Sequence, residues 1–120
     1  MTKIMVVDDQ KDIVETLKMI MTKQGFEIET GYSGMEFLEK VQNFNPDLVL
    51  MDVMMPGLTT SQILAELEKR GIRVKIILVT VVRFDDMELK NLLETSKNVV
   101  DYMKKPFDVN EMIGIVKKHL

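Results

Sequence analysis

Hydrophobic and polar positions follow two rhythms along this chain. Five short apolar runs, Lys3–Val7 (KIMVV), Phe26–Tyr32 (FEIETGY), Asp47–Met51 (DLVLM), Val74–Thr80 (VKIILVT) and Asn98–Met103 (NVVDYM), begin 21 to 27 residues apart. That is the spacing of a strand–helix unit. Between the runs the period is helical. Val14, Leu17, Met21 and Gln24 share one face, with Ile13 and Ile20 beside it. Shorter stripes follow: Phe37, Leu38 and Val41; Ile63, Leu64 and Leu67; Leu89, Leu92 and Leu93; Met112, Ile113 and Val116. Start and stop signals agree. Ser33-Gly34-Met35-Glu36 has the form of a capping box, and Asp85 with Glu88 and Asp108 with Glu111 repeat the spacing with aspartate as the cap. Gly25 and Gly71 fall where a left-handed residue ends a helix.

Five alternating β and α elements predict a mostly parallel sheet with helices on both faces, because right-handed crossovers permit little else. The first, third and fourth runs are almost wholly apolar, as strands covered on both faces are. The second alternates Phe26, Ile28 and Thr30 with Glu27 and Glu29, and the fifth contains Asp101, so both read as edges. The expectation is an α/β fold with a doubly wound, flavodoxin-like parallel sheet of five strands in order 2-1-3-4-5 and five helices.

Composition narrows the function. A chain of 120 residues is one domain, 1–120, and 46% hydrophobic with 29% charged residues is ordinary for a folded protein. The net charge of −3 supplies no broad cationic surface for nucleic acid or an anionic membrane. Apolar runs stop at four residues, so neither a membrane-spanning helix nor a secretory signal is expected. Cysteine is absent and His119 is the lone histidine, which removes thiolate and histidine-cluster chemistry. Carboxylates, hydroxyls and lysines remain. The eleven methionines fall mostly on the apolar stripes and are expected as core filler in a chain whose single alanine is Ala65.

In an open parallel sheet, ligands bind beyond the carboxyl ends of the strands, where the winding reverses. Strand 1 ends in Asp8-Asp9, strand 3 in Asp52, strand 4 in Thr80, and strand 5 runs into Lys104-Lys105-Pro106. Each has a bland explanation taken singly. Asp8-Asp9 is an ordinary loop or cap pair, Asp52 a cap, Thr80 a β-branched strand residue and Lys105 surface charge. Their placement together at one end of the sheet favours function. Carboxylates about 5 Å apart repel by roughly 3 kcal/mol at an effective dielectric near 20, and that repulsion calls for a cation. Lys105 supplies one charge. Oxygen donors suit a hard divalent ion, and magnesium favours one or two carboxylates with water and a phosphate oxygen. The cluster reads as a magnesium-assisted phosphoryl site.

VVDDQ at 6–10, LVLMDVMMPG at 48–57, Thr80 closing ILVT, and YMKKPF at 102–107 stand in an order that resembles the receiver domain of two-component response regulators along essentially the full chain. The resemblance implies that Asp52 is the phosphoacceptor, loaded by a sensor histidine kinase, a phosphotransfer protein or a small phosphodonor. It implies that Asp9 and Asp52 bind Mg2+ directly with the backbone carbonyl of Met54, Asp8 acting directly or through a water. Lys105 would pair with the phosphoryl group, and the Lys105-Pro106 peptide is often cis in this family. Thr80 would hydrogen-bond the phosphoryl oxygens, with Tyr102 rotating inward as Thr80 moves. The expected role is a phosphorylation-driven switch of a protein-interaction surface, cytoplasmic, with at most slow self-phosphorylation and self-dephosphorylation. No direct contact with nucleic acid or membrane is expected, and the downstream output partner is left open.

Several positions depart from the family pattern. Thr59-Thr60 replaces the usual Asp-Gly after MMPG, which predicts a threonine cap for the third helix. Val81 stands where the family is generally small, and the stretch Phe84–Val100 lacks the usual Gly-Ala and reads as lengthened. Met54 and Val82, apolar where receivers often carry polar residues beside the path of a hydrolytic water, predict a long-lived phosphoryl group. Three rival functions stand beside this one. An aspartate-nucleophile phosphatase of the haloacid-dehalogenase kind usually has a second acid two residues after the nucleophile, where this chain has Met54. A flavin carrier of the same fold needs a phosphate-cradling first loop, which Asp8-Asp9 would repel. A degenerate receiver would serve as a phosphorylation-independent interaction module, against which the retained site residues argue.

Overall fold

The structure, a computed structural model, describes residues 1–81 and 86–120, with the backbone alone for residues 86–89. Five strands and five helices alternate along it: β1 (Lys3–Val7), α1 (Lys11–Lys23), β2 (Glu27–Gly31), α2 (Gly34–Phe44), β3 (Leu48–Asp52), α3 (Thr60–Lys69), β4 (Ile76–Val81), α4 (Asp86–Thr95), β5 (Val99–Lys105) and α5 (Val109–Lys118). All pairings are parallel and the strand order is β2-β1-β3-β4-β5, as the texture of the runs predicts. β3 and β4 begin one to two residues later than the apolar runs, and β3, β4 and β5 run one to two residues further at their carboxyl ends.

Alternation along each strand divides the core in two. Met5, Val7, Val49, Met51, Ile76 and Leu78 pack with Phe37 and Val41 of α2 and Ile63 and Leu67 of α3. Ile4, Val6, Leu48, Leu50, Ile77 and Val79 pack with Val14, Leu17 and Met21 of α1 and Met112 and Val116 of α5. α1, α2 and α3 bury their predicted stripes, except that Gln24 lies past the end of α1 and is exposed, while Leu92 and Leu93 of α4 and Ile113 of α5 are half-buried against the core. Leu89 lies among the residues described by backbone alone.

β5 breaks the rule. Ile76 pairs with Val99 but Ile77 pairs with Asp101, so Val100 is an extra residue, a β-bulge. The bulge shifts the alternation by one. Tyr102 joins the α2/α3 side of the core and Met103 the α1/α5 side, the reverse of what unbroken alternation from Val99 would give.

Several local expectations change on inspection. Ser33 caps α2 through its side chain, but the return arm of the box is missing: Glu36 accepts from the Tyr32 amide at 3.2 Å and from Lys40 at 2.9 Å. The complete capping box belongs to α3, where Thr59 accepts from the Gln62 amide and Gln62 accepts from the Thr59 amide. Asp108 caps α5 as expected. The pairing of Asp85 with Glu88, Val82 and the start of the Phe84–Val100 stretch lie outside the described residues. The methionines divide differently from expectation. Met5, Met21, Met51, Met103 and Met112 are buried, whereas Met1, Met19, Met35 and Met54 are exposed, because the latter lie off the core-facing stripes.

Candidate functional site

The acidic cluster is built from strand ends. The Asp8 amide donates to the Gly31 carbonyl at 3.1 Å, which carries the β1–β2 ladder one residue past Val7 and sets Asp8 at the sheet's carboxyl edge. Its Oδ1 accepts from the Gln10 amide at 3.0 Å, and its Oδ2 lies 3.0 Å from Lys105 Nζ. Asp52, the last residue of β3, pairs with Val79, and its Oδ1 accepts from the Met54 amide at 3.3 Å. The neighbouring Val53 amide donates to the Val79 carbonyl, so the backbone on both sides of Asp52 is held. β5 ends in Lys105, which returns its ammonium over the cluster, 3.8 Å from Asp52 Oδ1. The Lys105-Pro106 peptide is cis.

Asp8, Asp9 and Asp52 each offer a carboxylate oxygen within 4.8 Å of the others. Asp8 and Asp52 are buried, at 3% and 5% exposure, while Asp9 faces solvent. Helix capping does not explain them. Gln10 is the cap of α1 and makes no side-chain cap bond, and Asp9 has neither hydrogen bond nor ion pair among the described residues. Three carboxylates therefore face one ammonium. Burial pushes the Asp52 carboxyl above its ordinary pKa, and Asp8 and more weakly Asp9 push the same way; Lys105 and the Met54 amide oppose without cancelling. All-oxygen donors, two buried and one open to solvent, with residual negative charge, fit a hard divalent cation that keeps part of its water.

The remaining expected residues stand on β4, on β5 and in the loop after β3. Thr80, next to last in β4, is fully buried and its hydroxyl donates to the Val81 carbonyl at 3.3 Å. Tyr102 is half-buried against the α2/α3 side of the core. Met54 is 56% exposed, so its side chain borders the site without sealing it. Beside Lys105 lies a groove of about 700 Å³, lined by Ile13, Leu17 and Ile20 of α1 and by Val81, Pro106 and Phe107. Sequence reading assigned it no role. The available signal was Ile13 and Ile20, apolar yet off the stripe that α1 turns to the core.

Comparison with known proteins agrees with this geometry. A family model described as the response regulator receiver domain matches residues 4–117. Response regulator protein TrrA from Thermotoga maritima, solved in complex with Mg(2+)-BeF, is 34% identical, with 100% of each chain covered and a TM-score of 0.83. The receiver domain of the Francisella response regulator 1452 is 27% identical over 99% of this chain and 96% of that one, at a TM-score of 0.84. Vibrio cholerae chemotaxis protein CheY4, 21% identical over 100% of this chain and 99% of that one, superposes at 0.87 and attests the fold.

Proposed function

The chain belongs to the response regulator receiver domain family, and from that premise we propose that Asp52 accepts a phosphoryl group from a sensor histidine kinase or phosphotransfer protein in a magnesium-dependent reaction. The observation that carries this reading is the convergence of buried Asp52 with Asp8, Asp9 and Lys105 at the carboxyl end of the sheet.

An Asp52 carboxylate oxygen attacks phosphorus in line. The new O–P bond forms as the P–N bond to the donor imidazole breaks, and the electron pair leaves with that nitrogen. Such transfers depend on positioning and charge neutralisation more than on covalent help from the protein. Asp52 is positioned by its own strand end and the Met54 amide. Asp8 and Asp9, with Asp52 and the Met54 carbonyl, would hold Mg2+, which when bound neutralises the carboxylates and polarises the incoming phosphoryl oxygens. Lys105, within 3.8 Å of Asp52, offers its ammonium to a phosphoryl oxygen. The apolar groove bordering Lys105 suits a docking helix of the phosphodonor protein. Thr80 and Tyr102 are the switch: turning the Thr80 hydroxyl from the Val81 carbonyl to the phosphoryl group opens space beside Tyr102 on the adjacent strand.

The test is incorporation from acetyl phosphate, read by intact mass with and without Mg2+. One hydroxylamine-labile phosphoryl group is expected on the wild type and none on Asp52→Asn. Full incorporation on Asp52→Asn, or in the presence of a chelator, overturns the assignment.

A further inference from the structure

The last turn of α5 and the irregular part of β5 are joined by a polar contact that the phosphoryl chemistry does not use. His119 caps α5 at its carboxyl end, and its Nε2 lies 2.8 Å from Asp101 Oδ2. A carboxylate only accepts, so the imidazole is the donor. The other oxygen, Oδ1, accepts from the Tyr102 amide at 2.8 Å. Lys75, just ahead of β4, donates to the His119 carbonyl at 2.9 Å. The two paired side chains are 18% and 24% exposed, so water screens the contact only in part. The residue that closes the last helix is therefore tied to β5 and to the segment entering β4.

The contact falls on the bulge. Val100 packs on the α1/α5 side of the core, and Asp101, the next residue, turns to the same side to meet His119. Two consecutive side chains on one face are what the extra residue produces. In unbroken pairing the alternation from Val99 would send Asp101 to the α2/α3 side, whose lining is apolar. A carboxylate buried there without a partner is costly. His119 supplies a donor to that carboxylate only where the bulge places it.

The register in turn decides where Tyr102 stands. Tyr102 pairs with Leu78 and packs with it on the α2/α3 side. Thr80, two residues on from Leu78, turns to that same side by strand alternation. In unbroken pairing Tyr102 would face α1 and α5, with the sheet between its ring and the Thr80 hydroxyl. We infer that His119 is a positioning residue: through Asp101 it selects the bulged register of β5 and so keeps Tyr102 on the same side of the sheet as Thr80. The inference rests on the reading of Thr80 and Tyr102 as the switch, and it extends that switch to a residue outside the acidic cluster.

The experiment is fluorine NMR of the whole protein carrying fluorotyrosine, without magnesium or phosphodonor. The two tyrosines, Tyr32 and Tyr102, give two resonances, assigned by Tyr102→Phe. Wild type should show a single Tyr102 environment. His119→Ala should split or shift that resonance and leave Tyr32 in place. Amide exchange at residues 101–103 should quicken by about tenfold in the same variant, while residues 4–7 of β1 keep their protection. His119→Gln retains a side-chain donor and should restore the wild-type spectrum. Asp101→Ala should reproduce the effect of His119→Ala, and the double variant should add nothing to either; if His119→Ala fails to fold, Asp101→Ala decides. The same changes are expected in an Asp52→Asn background, so a failure of phosphoryl transfer leaves them intact. A Tyr102 resonance unmoved in the alanine variants, an effect that glutamine does not relieve, or additive effects in the double variant overturn the proposal.

Discussion

Asp9→Asn removes one charge from three carboxylates whose oxygens lie within 4.8 Å of each other, and the metal-free protein should become more stable for it. At that distance each pair repels by about 3 kcal/mol at an effective dielectric near 20. Asp9 is exposed, so water and salt reduce each of its two interactions toward about 1 kcal/mol. The substitution sacrifices no hydrogen bond, because Asp9 makes none among the described residues. It forfeits a favourable position just ahead of α1, worth roughly 0.5 kcal/mol at a helix amino end. The net gain is about 1–2 kcal/mol, measurable by urea denaturation in a chelator. Magnesium reverses the sign. A ligand at a hundred times its dissociation constant adds about 2.7 kcal/mol to the form that binds it, and Asp9→Asn gives up most of that. Wild type should therefore be the less stable protein in chelator and the more stable one in saturating magnesium. A variant less stable in chelator, or one stabilised by magnesium as much as wild type, would refute the electrostatic reasoning and make Asp9 a structural residue.

Other outcomes follow from the same geometry. Because Asp52 holds its proton more tightly folded than at its unfolded value of 3.8, its contribution to metal-free stability is complete below that pH and is lost as pH rises through the higher folded pKa; Asp52→Asn should flatten this part of a denaturation–pH series, and an unchanged slope would assign it to another group. Thr59→Ala deletes the hydroxyl arm of the α3 capping box while the backbone amide at that position still donates to Gln62, and should cost about 1 kcal/mol in thermal or urea unfolding, whereas a neutral result would mean that water replaces the cap without loss. Met54→Asn places a hydrogen-bonding group beside Asp52, and decay of the phosphorylated form should quicken by up to about tenfold; identical decay rates would show that this side chain does not set the lifetime.

Much of the fold was legible along the chain because it rests on local period. A run of Ile4-Met5-Val6-Val7 is buried on both faces, whereas Glu27 and Glu29 mark a strand with one side open, and that contrast orders the sheet. The acids were legible for the same reason: Asp8, Asp9 and Asp52 follow directly on apolar strands, and parallel strands deliver their carboxyl ends to one side. The helix caps were legible where the signal lay within four residues, as at Asp108, and misleading where a side chain had a choice of partners, as Glu36 did between the Ser33 and Tyr32 amides.

Tertiary structure decided what depends on residues distant in the chain. Lys105 reaches Asp8 across 97 positions, a contact that exists only because β5 ends beside the cluster. Reading NVVDYM by strict alternation sends Tyr102 to the wrong face. The extra residue at Val100 reverses it, and a bulge is a property of two paired strands that neither strand's composition displays. The burial of Asn98 was equally invisible, since an asparagine before a strand is an ordinary turn residue until the Val74 amide donates to its side-chain oxygen. Periodicity is written in neighbours, and so the chain by itself determined its elements and their order. Register, the ammonium over the acids and the buried Asn98 side chain at the far end arise from pairings between segments brought together by folding, and those only the assembled sheet could set.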